Sequence, residues 1–359
     1  MRVHNFGAGP CTLPEDVLQE ARREWLDYAG TGMSLVELSH RSPEYDAVHH
    51  RALDLTRSVS GAPEEFAVLF VQGGATLQFG MVPLNLLAPG GRAGYVVSGA
   101  WARKARSEAE TVAEAYTAWD GSSVSCLRMP RSDEVEVRPG TTYLHITTNE
   151  TIDGIRMVTW PATDVPLVAD MSSEYLARPI EWNRYDLVYG GVQKNLAPAG
   201  LAVVFVRRSV LSDPPRTLPS YLRYGWHADS DSLGNTPAMF SIYIMGKVLE
   251  RMERSGGIPA LEKLSAAKAE RVYDTIDTSD GFYENRVDPA SRSHMNVVFR
   301  LPSEELERRF LAGAAQRRMV GLKGHRSVGG VRASLYAALE MESVDALVSY
   351  MHDFRTRRS

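Results

Sequence analysis

The stretch Leu187-Val188-Tyr189-Gly190-Gly191-Val192-Gln193-Lys194-Asn195-Leu196-Ala197-Pro198-Ala199-Gly200-Leu201-Ala202-Val203-Val204-Phe205-Val206 decides the fold. It opens and closes on short runs that are apolar at every position. Such runs suit strands buried on both faces of a sheet. Between them lies a small-residue turn that carries a single lysine. The same grammar recurs upstream. Residues 66–71 end in Gln72-Gly73-Gly74-Ala75-Thr76 and lead into a helix-like segment at 77–87. Residues 94–97 end in Ser98-Gly99-Ala100-Trp101, followed by a polar helix at 102–113. Residues 143–147 end in Thr148-Asn149-Glu150-Thr151, and 166–169 end in Asp170-Met171-Ser172-Ser173. Apolar strands alternating with helices predict an α/β fold with an open, mostly parallel sheet. Ligands of such sheets sit beyond the carboxyl ends of the strands, where these polar residues fall.

Outside this core, Pro14 with Glu15 and Asp16 marks a helix start, and a second helix is expected at 45–59. After a helix at 241–252, Ser255-Gly256-Gly257-Ile258-Pro259 reads as a break. Helices at 260–276, 303–315 and 343–355 and a strand near 296–300 then predict a smaller α+β unit. The expected division is 16–259 for a large domain and 1–15 with 260–359 for a small one.

Composition narrows the class. The 359 residues are 44% hydrophobic and 23% charged, with a formal net charge of −4, so neither disorder nor a nucleic-acid or membrane-surface role is expected. Two cysteines, Cys11 and Cys126, exclude a disulfide framework and a clustered structural zinc site, and no metal is expected. The longest purely apolar runs are about six residues against the ~20 of a membrane helix, and the start lacks a signal-like apolar core. A soluble, cytoplasmic chain is the expectation. Of 40 basic residues only six are lysines, so a reaction that needs an amine has six candidates: Lys104, Lys194, Lys247, Lys263, Lys268 and Lys323.

Lys104, Lys247, Lys263 and Lys268 fall on helices, where a solvated face is the default. Lys323 lies in a Gly-rich loop beside His325 and Arg326. Lys194, between two apolar strands, is expected to be partly desolvated. Desolvation favours the neutral, nucleophilic amine; a plain surface-loop lysine is the alternative. Asp170 ends a strand 24 residues earlier and can face the same cleft, although a strand-end Asp often serves only as a turn residue. Lysine and aspartate together suggest a pyridoxal phosphate site, in which the carboxylate keeps the ring nitrogen protonated. Gly73-Gly74-Ala75-Thr76 before a helix could cradle the phosphate, or simply make a turn. Trp101 could stack on the ring or fill the core, and Thr151 could meet the ring hydroxyl.

At these residues the chain resembles the pyridoxal phosphate enzymes of fold type I, and among them the class V aminotransferases. The motifs that carry the resemblance span almost the whole chain: Asn5-Phe6-Gly7-Ala8-Gly9-Pro10, Glu37-Leu38-Ser39-His40-Arg41-Ser42, Asn149-Glu150-Thr151-Ile152-Asp153-Gly154, Ala169-Asp170-Met171-Ser172-Ser173, the Gly191–Gly200 segment quoted above, Asn235-Thr236-Pro237, Gly321-Leu322-Lys323-Gly324-His325-Arg326, and Gly329-Gly330-Val331-Arg332-Ala333-Ser334. The resemblance implies a seven-stranded sheet between helices plus a smaller domain. It implies that Lys194 holds the cofactor covalently and shuttles the proton of the substrate α-carbon. Asp170 would pair with the ring nitrogen, Trp101 stack on the ring and Thr151 meet its hydroxyl. Ala75, Thr76 and Gln193 would hold the phosphate, with Asn235 and Thr236 reaching it from the second subunit of a homodimer that shares its active sites. His40, Arg41, His325, Arg326 and Arg332 match substrate-binding positions. Arg332 would hold the α-carboxylate, and Arg41, His325 and Arg326 the side-chain anion, as guanidinium forks suit carboxylate and phosphate.

The implied reaction passes the amino group of glutamate to 3-phosphohydroxypyruvate, giving O-phosphoserine and 2-oxoglutarate, as in serine biosynthesis. The same site would also serve a 4-phosphohydroxythreonine partner in pyridoxine biosynthesis. One departure stands out: many members carry Gly-Arg where this chain has Ala75-Thr76, so a contact to the substrate phosphate is missing from that place. The rival readings are an alanine–glyoxylate type transaminase, a cysteine desulfurase and a non-catalytic cofactor-binding module. Neither cysteine lies in a desulfurase-like motif. A regulator would carry an appended DNA-binding region, whereas this chain starts straight into the enzyme-like segment.

Overall fold

The computed structural model describes residues 2–211 and 214–357. Met1 and the last two residues of the expected small domain lie outside them. Seven strands form the central sheet: β1 (Phe66–Gln72), β2 (Arg92–Val97), β3 (Glu114–Asp120), β4 (Thr141–Thr147), β5 (Leu167–Asp170), β6 (Tyr185–Gly191) and β7 (Leu201–Arg207). Their order is β1-β7-β6-β5-β4-β2-β3. β7 runs antiparallel to both neighbours, and every other pairing is parallel. The expected α/β class and mostly parallel seven-stranded sheet are borne out.

Both faces of this sheet are buried, and the strand period of two divides the side chains between two cores. Phe70, Ile146, Ala169, Val188 and Val203 point into one, against α1 (Glu15–Arg23), α2 (Pro43–Ser60) and α6 (Met239–Arg254). Leu69, Val97, Val168, Tyr189 and Val204 point into the other, against α3 (Gly74–Leu86), α4 (Ala100–Glu110) and α5 (Tyr224–Asp229). Burying one such side chain is worth about 1.5–3 kcal/mol, so a one-residue slip of any central strand would exchange two cores at once. α2 starts where chemistry dictates: Pro43 takes its first position, and the Ser42 side chain accepts the Tyr45 N–H.

A third core gathers Phe6, Ala269, Val272, Phe299, Phe310, Val331, Leu347 and others. It is built from α7 (Gly257–Asp277), the antiparallel pair β8 (Asn296–Phe299) and β9 (Val331–Ser334), α8 (Glu304–Gln316) and α9 (Met341–Thr356). His4–Asn5 joins it by pairing in parallel with Met319–Val320. The expected break at 255–259 is narrower than its composition suggests. Only Ser255 and Gly256 interrupt, and α7 begins at Gly257 with Pro259 inside its first turn, where no intrahelical N–H is needed.

Two placements correct the sequence reading. Trp101 does not end a strand: β2 stops at Val97, and Trp101 is the second residue of α4. Lys268 does not lie on a solvated helix face. It is completely buried in α7, where its Nζ donates to the carbonyls of Tyr336 (3.1 Å) and Ala337 (3.3 Å). A long amphipathic stem and two carbonyl acceptors let a lysine occupy a position that periodicity assigns to the surface. The strand β3 is also absent from the sequence reading. It is the sheet's edge, and its half-exposed, charge-ended Glu-Ala-Tyr-Thr-Ala-Trp-Asp lacks the apolar run by which the others are recognised.

Candidate active site

The parallel register brings the carboxyl ends of β4, β5 and β6 together: Thr147 lies opposite Asp170, and Asp170 opposite Tyr189. A cavity of about 360 Å³ opens at these ends. Ala75, Thr76, Trp101, Thr151, Asp170, Gln193 and Lys194 all line it, together with Gly9, Gly73 and Gly74. Seven residues from separate parts of the chain thus meet in one place.

Lys194 sits in the tight turn between β6 and β7. Val192 N–H closes this turn on the Leu201 carbonyl, and Leu196 and Ala197 N–H groups both donate to the Val192 carbonyl. Asn195 pins it from both sides: its amide donates to the Tyr175 carbonyl and accepts the Ala337 N–H, each at 3.0 Å. The Cys11 thiol donates to the Lys194 carbonyl, and burial pushes that thiol up to about 12, so Cys11 is a structural clasp rather than a reactive group. Lys194 Nζ donates to the Ala8 carbonyl at 2.8 Å, which also accepts the Tyr336 hydroxyl at 3.1 Å. Burial lowers Lys194 to about 8; the nearby Arg332 charge acts in the same direction, and Asp170 opposes it. Lys268 is also lowered to about 8 by burial, so a depressed pKa alone does not identify the reactive amine. The two differ in place: Lys194 lines the cavity and Lys268 does not.

Asp170 is held by the residue two places on. Ser172 donates to Asp170 Oδ1 through its backbone N–H (2.9 Å) and its hydroxyl (2.6 Å), and the same hydroxyl accepts the Gly191 N–H at 3.0 Å. Both bonds fall on Oδ1, which leaves Oδ2 for a ligand. Burial raises the Asp170 carboxyl, and the Ser172 donors and the Lys194 charge offset this only in part. A cationic ligand atom would complete the compensation that a buried carboxylate requires. Ser172 was legible only as a hydroxyl near Asp170. The spacing Asp-x-Ser, which favours a local side chain-to-backbone turn, is the signal for its role.

At the other end, Gly73 (φ +102°) and Gly74 (φ +64°) adopt left-handed backbone at the start of α3. A Cβ on Gly74 would meet nothing within 4 Å, so the approach to the helix N-terminus is open. Free N–H groups and the helix dipole there suit a phosphate dianion. The buried polar atoms Trp101 Nε1, Thr147 Oγ1 and Gln193 Oε1 have no hydrogen-bond partner within the protein, and all three residues line this cavity. The donor set, the orphaned atoms and the lysine–aspartate pair fit pyridoxal phosphate.

The remaining expected residues lie elsewhere. Arg332, on β9, reaches the rim: Nη1 donates to the Thr151 carbonyl at 3.4 Å, and its Nε is buried without a partner. Asn235, Thr236 and His40 do not line the cavity. They form a cluster around Gln72 at the end of β1: Asn235 Nδ2 donates to Gln72 Oε1 (3.0 Å), and Thr236 Oγ1 lies 3.2 Å from His40 Nδ1. Arg41 and Arg326 are exposed, and His325 is bonded to Ser327 in its own loop at 2.7 Å. Within one chain the groups expected to hold the substrate's side-chain anion are therefore not assembled.

Fold and cavity together define an aminotransferase, and the chain belongs to the class-V aminotransferase family, which matches residues 3–347. Among its relatives are phosphoserine aminotransferases. That of Dichelobacter nodosus is 47% identical over 356 residues, which cover 99% of each chain. The solved phosphoserine aminotransferase from Bacillus circulans subsp. alkalophilus superposes with a TM-score of 0.97 at 45% identity, covering 100% of this chain and 99% of the other. The pyridoxal phosphate-bound enzyme from Trichomonas vaginalis superposes with a TM-score of 0.93 at 34% identity, covering 98% and 100%. The aminotransferase class and the cofactor expected from the motifs are borne out.

Proposed function

We propose that the chain catalyses transfer of the amino group of glutamate to 3-phosphohydroxypyruvate, forming O-phosphoserine and 2-oxoglutarate. The observation that carries this reading is the single cavity in which Lys194, poised near pH 8, stands with an Asp170 held by one oxygen, in a chain matched end to end by phosphoserine aminotransferases. Pyridoxal phosphate, when bound, supplies the carbonyl carbon for the amino group and a ring that accepts electrons. The chain's residues do the rest. Gly73, Gly74, Ala75, Thr76 and Gln193 hold the phosphate, Trp101 offers a flat face to the ring, and Thr151 meets the ring hydroxyl. Asp170 Oδ2 keeps the ring nitrogen protonated while Ser172 fixes Oδ1. Lys194 Nζ takes the proton from the substrate α-carbon and returns it on the other side of the exchange, a task that suits an amine with a pKa near working pH. Arg332, at the rim, binds the substrate α-carboxylate.

His40, Arg41, Asn235, Thr236, His325 and Arg326 are assigned to the cavity of a second copy, in a homodimer with shared sites. Asn235 and Thr236 serve the phosphate of the cofactor there, and the departure at Ala75-Thr76 leaves His40, Arg41, His325 and Arg326 as the anchor for the substrate phosphate. Among the described residues no helix is long and apolar enough to cross a membrane; we assign the enzyme to the cytoplasm, to serine biosynthesis, and to the related phosphohydroxythreonine step of pyridoxine biosynthesis. The test is an acceptor panel with glutamate as donor. Phosphohydroxypyruvate should be preferred strongly over pyruvate and glyoxylate, and equal use of the three would overturn the substrate assignment. Borohydride reduction and peptide mapping should place the cofactor on Lys194 and leave Lys268, equally depressed in pKa, unlabelled.

A further inference from the structure

The first turn of α4, which carries Trp101, is held by a residue that does not line the cavity. α4 begins after Gly99, which has no side chain to cap it, and no side chain of its own first turn serves instead. Two of the free N–H groups of that turn are taken by Glu150, from the hairpin after β4. Trp101 N–H donates to Glu150 Oε2 (3.2 Å) and Ala102 N–H to Oε1 (3.0 Å); the Ser98 hydroxyl adds a third donor to Oε1 at 3.3 Å. Glu150 is completely buried. The fit is reciprocal: a Cβ on Gly99 would lie 2.6 Å from Glu150 Cδ and 2.8 Å from Asp153 Oδ2, so the absent side chain is what admits the carboxylate. Glu150 is also bound to its own segment, because the Gly154 N–H donates to its carbonyl at 2.9 Å. A carboxylate supplied from another segment thus performs the work of an N-cap on the very turn that carries Trp101.

We propose that Glu150 is a positioning residue for the cofactor: it fixes the first turn of α4, and through it the plane that Trp101 presents to the ring. The inference rests on the assignment of Trp101 as the stacking partner. It predicts that Glu150 acts on the cofactor only where Trp101 is present. In the holoenzyme, Glu150→Gln keeps the shape but turns one acceptor into a donor facing an N–H. Cofactor release, followed by loss of its bound absorbance on dilution, should quicken about tenfold, the size of a lost helix cap. The circular dichroism of the bound cofactor should change with it. In a Trp101→Ala background the same substitution should alter release by no more than about twofold, because the two changes act in one chain of contacts.

If Trp101→Ala alone leaves release unchanged, the stacking assignment fails. If Trp101→Ala quickens release but Glu150→Gln adds the same factor in both backgrounds, or none in either, the stacking stands and Glu150 is only a structural cap. Ser98→Ala, which removes a single donor to the Glu150 carboxylate, serves should Glu150→Gln not fold. It should quicken release in the parent and not in the Trp101→Ala background, and equal effects in the two would overturn the proposal.

Discussion

At the residue scale, two lysines of equal pKa do different work. Lys194 and Lys268 are both lowered to about 8 by burial. Lys194 opens on a cavity, whereas Lys268 spends its charge on two backbone carbonyls. Replacing Lys194 by Ala should reduce transamination by at least ~10³-fold, within the range of a lost general base, and leave thermal denaturation of the apoenzyme nearly unchanged. Lys268 should be visible in stability instead. Its folded pKa lies below its unfolded value, so between about pH 8 and 10.5 the unfolded chain binds the extra proton. Stability contributed at this position is therefore full above that window and is lost as pH falls through it. Relative to Lys268→Met, the parent should gain on the order of 2 kcal/mol between pH 8 and pH 10 in urea unfolding. A pH-independent difference between the two proteins would refute the burial argument.

At the element scale, what was legible and what was not follow from periodicity. β1, β4, β5, β6 and β7 were legible because buried strands are apolar on both faces; α2 was expected at 45–59, two residues short of the start that Ser42 and Pro43 give it. β3 was not, since an edge strand needs no apolar run, and the buried Lys268 was hidden because a helix wheel cannot foresee two carbonyls waiting at the core. The cavity-lining residues were legible as polar punctuation at strand ends. Ser172 and Glu150 were harder, since their importance lies in what they hold: Asp170 in one case and the start of α4 in the other. The cradle is the element most exposed to a single substitution. Gly73→Ala places a Cβ 2.9 Å from Leu77 Cδ2 and forces a left-handed φ of +102° on alanine. It should cost ~1–2 kcal/mol of stability and weaken cofactor binding at least tenfold in a titration of the apoenzyme.

At the scale of the molecule, three cores are joined by a few continuous elements. α7 contributes Ile258 and Leu261 to the core beside α6, and Ala269, Val272 and Ile276 to the core built on β8 and β9. We propose that the second group forms the small domain of 1–15 and 260–359, with 16–259 as the large one, so that one rigid helix carries the joint. The turn that carries Lys194 is tied to that domain by Asn195 and the Ala337 N–H, and Lys194 shares the Ala8 carbonyl with Tyr336. What one chain does not assemble is the full set of groups expected around the cavity, because His40, Asn235 and Thr236 cluster apart at the end of β1. In the homodimer proposed above, a two-fold axis presents the same patch to both partners, so each copy can complete the other's cavity. This predicts complementation between two inactive proteins. Lys194→Ala lacks the amine, and the double variant Asn235→Ala with Thr236→Ala lacks the donated groups. Mixed, dissociated and reassociated in equal amounts, half of the dimers are hybrids with one lesion-free site, so transamination should return to about a quarter of the parent's. Were Asn235 and Thr236 to serve the cavity of their own chain, each hybrid would hold two sites with one lesion each, and mixing would restore nothing.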